Sequence, residues 1–186
     1  MTPEERIKEI KLELRSQMNG VASAAMRQSD DYRVNFGVEL PRLRQMADEE
    51  TFSPINSLAS ALWKESVREC RILALMMFPA EEMDEELCDV WAEQIHTPEI
   101  AQIASLHLFQ KLQYATSKSL EWIASENEIL QICGFTTLLH IARQTEIAQR
   151  TMDEVLDQAQ AAMESESLSL KKIASQWMTY REPQTY

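Results

Sequence analysis

The residues best suited to chemistry gather at the head of an apolar helix. The run LWKESVRECRILAL (62–75) puts Arg68, Glu69 and Arg71 just ahead of Ile72 to Phe78, a stretch without any charge. A buried charge must be capped, paired or used. Ser66 followed three residues later by Glu69 is the pattern of a capping box, in which the carboxylate reaches back to the Ser66 N–H. Arg71 shares a helical face with Val67, Cys70, Ala74 and Phe78. Residues two apart do not face each other, so Glu69 is not its natural partner. A carboxylate or carbonyl on another helix is expected instead, tying one repeat to its neighbour. Arg68 is then left to face a ligand. Cys70, Cys88 and Cys133 are odd in number and each lies in an apolar helical pattern, so reduced core thiols are expected. His96, His107 and His140 are dispersed, and neither a metal nor a cofactor is called for. No nucleophile–base pair or phosphate loop stands out.

The elements that carry these residues read as helices throughout. The chain has 186 residues, 45% of them hydrophobic, and only three glycines. Ala, Leu, Glu, Gln and Met recur, all good helix formers, and the fold class is all-α. Thr2-Pro3-Glu4-Glu5 opens a helix to about Met18, followed by a short one from Val21 to Arg27. The segment 29–41 breaks the periodicity before PRLRQMADE. Further helices start at Ser53-Pro54, at Ser66, at Asp84 (to about Ile95) and at Thr97-Pro98 (to about Ala115). Ser125 with Glu128 is another Ser-x-x-Glu box, and the last two helices are expected over 146–163 and 168–181. From residue 53 the helices form pairs, 53–78, 84–114, 117–143 and 146–181, a period of about thirty residues that suits a helical solenoid. The pattern predicts one all-helical domain over 1–186, with N-terminal helices in 1–50 and about four HEAT-like helix pairs over 53–181. A compact helical bundle is the rival.

Charge limits the partners. The net charge is −12, yet residues 1–44 carry eight Lys/Arg against seven Asp/Glu, and residues 45–186 carry ten against twenty-three. Such a balance disfavours a broad phosphate-binding surface while leaving room for a narrow one. The acids of EEMDEELCDVWAE (81–93) read as the solvated face of an outer helix whose stripe includes Trp91. Trp63 and Trp91 are expected to pack between helices, whereas Trp122 and Trp177 are expected to be partly exposed. The charged start, MTPEERIKEIK, and the lack of any apolar run of about 18 residues predict a soluble cytoplasmic protein without a membrane span.

Over about residues 30–95 the chain carries a more specific pattern. FGVELPRLRQMA (36–47), ALWKESVRECRILALMMF (61–78) and CDVWAEQI (88–95) resemble the AlkD family of DNA alkylation repair glycosylases, with its Gly-Val, its Leu-Arg at a helix start and its Leu-Trp ahead of an Arg-Glu-x-Arg run. The resemblance implies a HEAT-like superhelix that binds DNA in its concave face and excises cationic alkylated purines from a Trp-rich cleft. It also implies a catalytic Asp within a Trp-Asp-x-x-Asp element and an Arg from the next repeat. Aromatic faces and a carboxylate would both stabilise a cationic base and an oxocarbenium-like sugar.

This sequence departs from that pattern where the chemistry sits. HTPEIAQIASLHLF (96–109) has no Trp and no Asp, and LQICGF (130–135) has no Arg. The catalytic Asp falls near Gln102, and Glu99 is the only carboxylate of the stretch. The leading expectation is therefore a DNA-binding relative that recognises DNA structure or damage, at low affinity, without glycosylase catalysis. One alternative is a scaffold for a protein partner, and another is an active glycosylase using Glu99. Nucleic-acid contacts are expected from Arg42, Arg44, Arg68, Lys111 and Arg143, with Gln102, Gln110, Gln131, His140 and Arg71 on the same concave helices. Arg15, Arg27 and Arg33 are expected to add contacts to the DNA backbone.

Overall fold

In the computed structural model, residues 1–29 and 34–180 are described, and the expected contact Arg33 lies outside them. Eleven α-helices make up the described chain: α1 (Pro3–Ser16), α2 (Gly20–Ser29), α3 (Leu40–Glu49), α4 (Ile55–Trp63), α5 (Arg68–Met77), α6 (Glu85–Glu93), α7 (Pro98–His107), α8 (Ala115–Ile123), α9 (Glu128–Ala142), α10 (Gln149–Ala162) and α11 (Leu168–Met178). Apart from an isolated bridge between Val34 and Val67, the described residues form no β-structure. They divide into two compact units, Met1–Met83 and Asp84–Tyr186.

In the first unit α4 and α5 form an antiparallel pair, with α3 against α5 and α1 against α4. The apolar positions of α1, Ile7, Ile10 and Leu14, are buried as their 3–4 spacing requires. Ion pairs from the polar flank of α1 hold it in place: Arg6 to Glu50 at 3.0 Å, Lys11 to Glu65 at 2.6 Å and Glu13 to Arg42 at 2.7 Å.

In the second unit α8 packs on α9 and α10 on α11, while α9 also lies between α7 and α11. That places α7, α9 and α11 side by side in one layer. α9 is buried from Ile132 to Leu139, which explains why its sequence shows no single apolar stripe. Ser105 of α7 donates to the Cys133 carbonyl at 3.2 Å, and Trp177 of α11 donates its Nε1–H to the Phe135 carbonyl at 3.0 Å. Two buried polar groups thus tie the layer at its centre. Gly134 lets α8 approach, since a Cβ there would stand 2.5 Å from the Ser119 carbonyl oxygen.

Several expected caps are formed. Thr2 and Glu5 make the reciprocal capping box, and Asp84 and Thr97 accept from the N–H groups of Leu87 and Ile100. Two Ser-x-x-Glu readings need correction. The cap of α5 is Val67, with no side-chain hydrogen bond, because the Glu69 carboxylate is held elsewhere. The cap of α9 is Asn127, whose Oδ1 accepts from Ile129 and Leu130, while Ser125 accepts from Asn127 itself. The helix expected to run to Ala115 ends at His107. Leu108, at φ −126° and ψ −62°, breaks it, and a 3-10 turn over Phe109–Lys111 follows. The break sends both Leu108 and Phe109 into the core.

Candidate nucleic-acid interface

Two of the charges that open α5 are buried. Glu69 is fully buried, at 0% exposure, and Arg68 is 2% exposed. The Glu69 carboxylate accepts from three successive backbone N–H groups, those of Phe36 (3.1 Å), Gly37 (2.9 Å) and Val38 (3.3 Å). Arg68 Nη1 lies 3.3 Å from the same carboxylate and donates to the Val38 carbonyl at 3.3 Å. The loop can aim three amides at one anion because Gly37 takes φ +71°, where a Cβ would meet the Asn19 carbonyl oxygen at 2.5 Å. Arg68, expected to contact nucleic acid, is therefore held in the core by its neighbour. Arg71 was expected to bind a group on another repeat. Its Nε donates to the Glu65 carbonyl at 3.2 Å, and its guanidinium lies 5.2 Å from the centre of the buried Trp63 ring.

No tryptophan offers a stacking face. Trp63, Trp91, Trp122 and Trp177 are all buried, which corrects the partial exposure expected of the last two. Trp122 packs against Phe109 with ring centroids 4.9 Å apart, and Trp177 against Tyr180 at 5.5 Å. Among the described residues no three His, Cys, Asp or Glu side chains gather as a metal site. The cysteines are free and buried, and burial raises the Cys88 thiol to about 12, far from thiolate reactivity.

An exposed polar edge forms instead along the layer of α7, α9 and α11. On α7 the outward residues are Glu99, Gln102 and Leu106, spaced three and four apart on one face. Gln110, just past the helix end, donates its amide to the Leu106 carbonyl. Its Oε1 accepts from Gln144 Nε2 at 2.6 Å, and that amide also donates to the His140 carbonyl at 3.0 Å. Arg143 is exposed and donates to Gln176 Oε1 of α11 at 3.4 Å. Lys111 is exposed beside Gln110. The C-terminal ends of three neighbouring helices therefore carry two cations, the bonded pair Gln110 and Gln144, a third glutamine (Gln176) held by Arg143, and one half-buried histidine. Burial lowers the His140 pKa, and the Arg143 charge lowers it further.

The remaining expected contacts lie elsewhere. Arg42 donates to Gln17 and Glu13, both at 2.7 Å, and braces α3 against α1. Arg15 and Arg44 are exposed in the first unit, where Arg27 donates to Ser23 Oγ at 2.9 Å. Gln131 donates to the Ser125 carbonyl at 2.8 Å. Sequence reasoning missed Leu106, Gln144 and Gln176. The signal for Leu106 was its place four residues after Gln102 and four before Gln110, hidden within an apolar run.

A family model described as "DNA alkylation repair enzyme" matches residues 10–179. No curated protein matches the chain. Among solved structures, one described as "a new family of proteins related to the HEAT-like repeat DNA glycosylases with affinity for branched DNA structures" is similar at 14% identity. That match has a TM-score of 0.82 and covers 92% of this chain and 73% of the other. The fold is therefore the HEAT-like repeat fold, all-α as its helix pairs foretold.

Proposed function

The chain belongs to the DNA alkylation repair enzyme family, and on that premise we propose that it binds DNA without excising bases. The observation that carries this reading is the exposed edge in which Lys111 and Arg143 flank the bonded pair Gln110 and Gln144. Cations at fixed spacing suit phosphates, and amide side chains suit sugar and phosphate oxygens. The structural relative's affinity for branched DNA supports DNA shape, rather than a lesion, as the feature recognised here. Catalysis is not part of the proposal, because the four tryptophans are buried and Gln102, near which the resemblance puts the catalytic Asp, is an amide. With only two cations on this edge, affinity in the micromolar range is expected at physiological salt. We place this function in the cytoplasm, within a single domain spanning 1–186. No helix of the described residues is long and apolar enough to cross a membrane.

The test combines binding with base release, on duplexes carrying a cationic methylated purine and on linear and branched DNA of equal length. Weak binding that favours branched DNA, with no base released, is expected. Base release that disappears in Glu99→Gln would overturn the non-catalytic reading. Absence of any DNA preference would favour a second reading, a scaffold for a basic protein partner. That reading draws on residues 84–186, which hold sixteen acids against seven Lys/Arg.

A further inference from the structure

We propose that Leu106 is the residue by which this surface distinguishes an interrupted base stack from a continuous one. The inference rests on the DNA-binding reading above and names how its selectivity would arise. Leu106 is 43% exposed on the outward face of α7. Gln102 lies one turn before it, about 6 Å along the axis, and just past the helix end Gln110 donates its amide to the Leu106 carbonyl. Gln110 is bonded to Gln144, whose neighbour Arg143 is exposed, and Lys111 adjoins Gln110. An apolar side chain thus stands in a polar, cationic setting, and the carboxylate on its stripe, Glu99, is two turns away.

Val90, another exposed apolar residue of this unit, lacks that setting. It lies on α6 between Glu86 and Glu93. Phosphates would be repelled there. At Leu106 a hydrophobic surface and the cationic edge coincide.

A continuous duplex offers such a side chain thymine methyl groups at base edges but no base face, because each face is covered by its neighbours. At a branch the stack is broken and base faces are exposed. An aliphatic side chain can then cover one of them, as the apolar wedges of DNA-bending proteins do between base steps. Lys111 and Arg143 would hold the flanking phosphates on any duplex, and Leu106 would add affinity only where a base face is open. The cations supply affinity, and the leucine supplies discrimination.

Fluorescence anisotropy of wild type, Leu106→Ala, Leu106→Met and Lys111→Ala tests this, using a four-way junction and a linear duplex of matched length. Leu106→Ala should weaken junction binding by at least about fivefold, from the lost apolar contact, and leave linear binding within about twofold. Leu106→Met should retain the junction preference, and Lys111→Ala should weaken both substrates alike. A 2-aminopurine placed at the branch should change emission on binding wild type and not on binding Leu106→Ala. Equal losses on the two substrates, or no loss on either, would overturn the role of Leu106 while the DNA-binding reading stands. A wild type that binds DNA without junction preference would overturn it in the same way. A wild type that binds no DNA would sink both. Circular dichroism of each variant confirms that the fold is retained.

Discussion

Removing the Glu69 carboxylate would take from the N–H groups of Phe36, Gly37 and Val38 their shared acceptor and from buried Arg68 the carboxylate 3.3 Å away. We predict that Glu69→Ala lowers stability by about 3–5 kcal/mol, the usual cost of orphaning a buried charge, as measured by urea unfolding. Substituting both members, Arg68→Met with Glu69→Gln, should cost less than the two single changes added together, which a double-mutant cycle reads directly. The other residue-level prediction concerns His140. Its pKa in the folded protein lies below 6.5, so the unfolded chain takes up the proton first as pH falls. The neutral ring contributes its stability in full above about pH 6.5 and loses it as the pH drops from there toward the lowered folded value. In Arg143→Ala the His140 pKa, followed by NMR titration, should rise part of the way back and stay below 6.5, because burial is the larger cause. At this scale the sequence was legible only where partners are close. It exposed Arg68, Glu69 and Arg71 as charges needing an explanation. It assigned Glu69 to Ser66, three residues back, because nothing local pointed to amides more than thirty positions away.

Among the elements, α8 and α9 approach closely at Gly134. A Cβ on Gly134 would stand 2.5 Å from the Ser119 carbonyl oxygen and 2.8 Å from Ile123 Cγ1. Gly134→Ala should therefore force the two helices apart and cost about 1–3 kcal/mol, as overpacking usually does, seen as a lowered urea midpoint with an unchanged m-value. Helix starts were the most readable features, because Thr2, Asp84 and Thr97 each place an acceptor side chain before a helix with Pro or acids in its first turn. Helix ends were less so. The apolar pattern of α7 runs on through Leu108 and Phe109, since both remain in the core after the backbone turns. Periodicity therefore gave no sign of a stop at His107. The cap of α9 was misplaced for a similar reason: Ser125 is hydrogen-bonded, but to the N–H of the true cap, Asn127.

On the scale of the whole molecule, charge sets the terms of binding. With a net charge of −12 the protein approaches DNA against a mean repulsion, and only local cations offset it. We predict that log K falls with log salt at a slope of about −2, as expected for two phosphate contacts, and that Arg143→Ala reduces the slope by about one. A slope much steeper than this would mean that exposed cations such as Arg15 and Arg44 take part as well. The carboxylate cradle of Glu69 bears on how the chain reaches this state. Its hydrogen bonds join residues 31 to 33 positions apart, whereas the bonds within a helix join residues four apart. Closing so long a loop costs entropy that is recovered only when the docked partners are already shaped. The cradle should accordingly form after α5 and act as the latch of the first unit, so that Glu69→Gln speeds unfolding and leaves refolding almost unchanged.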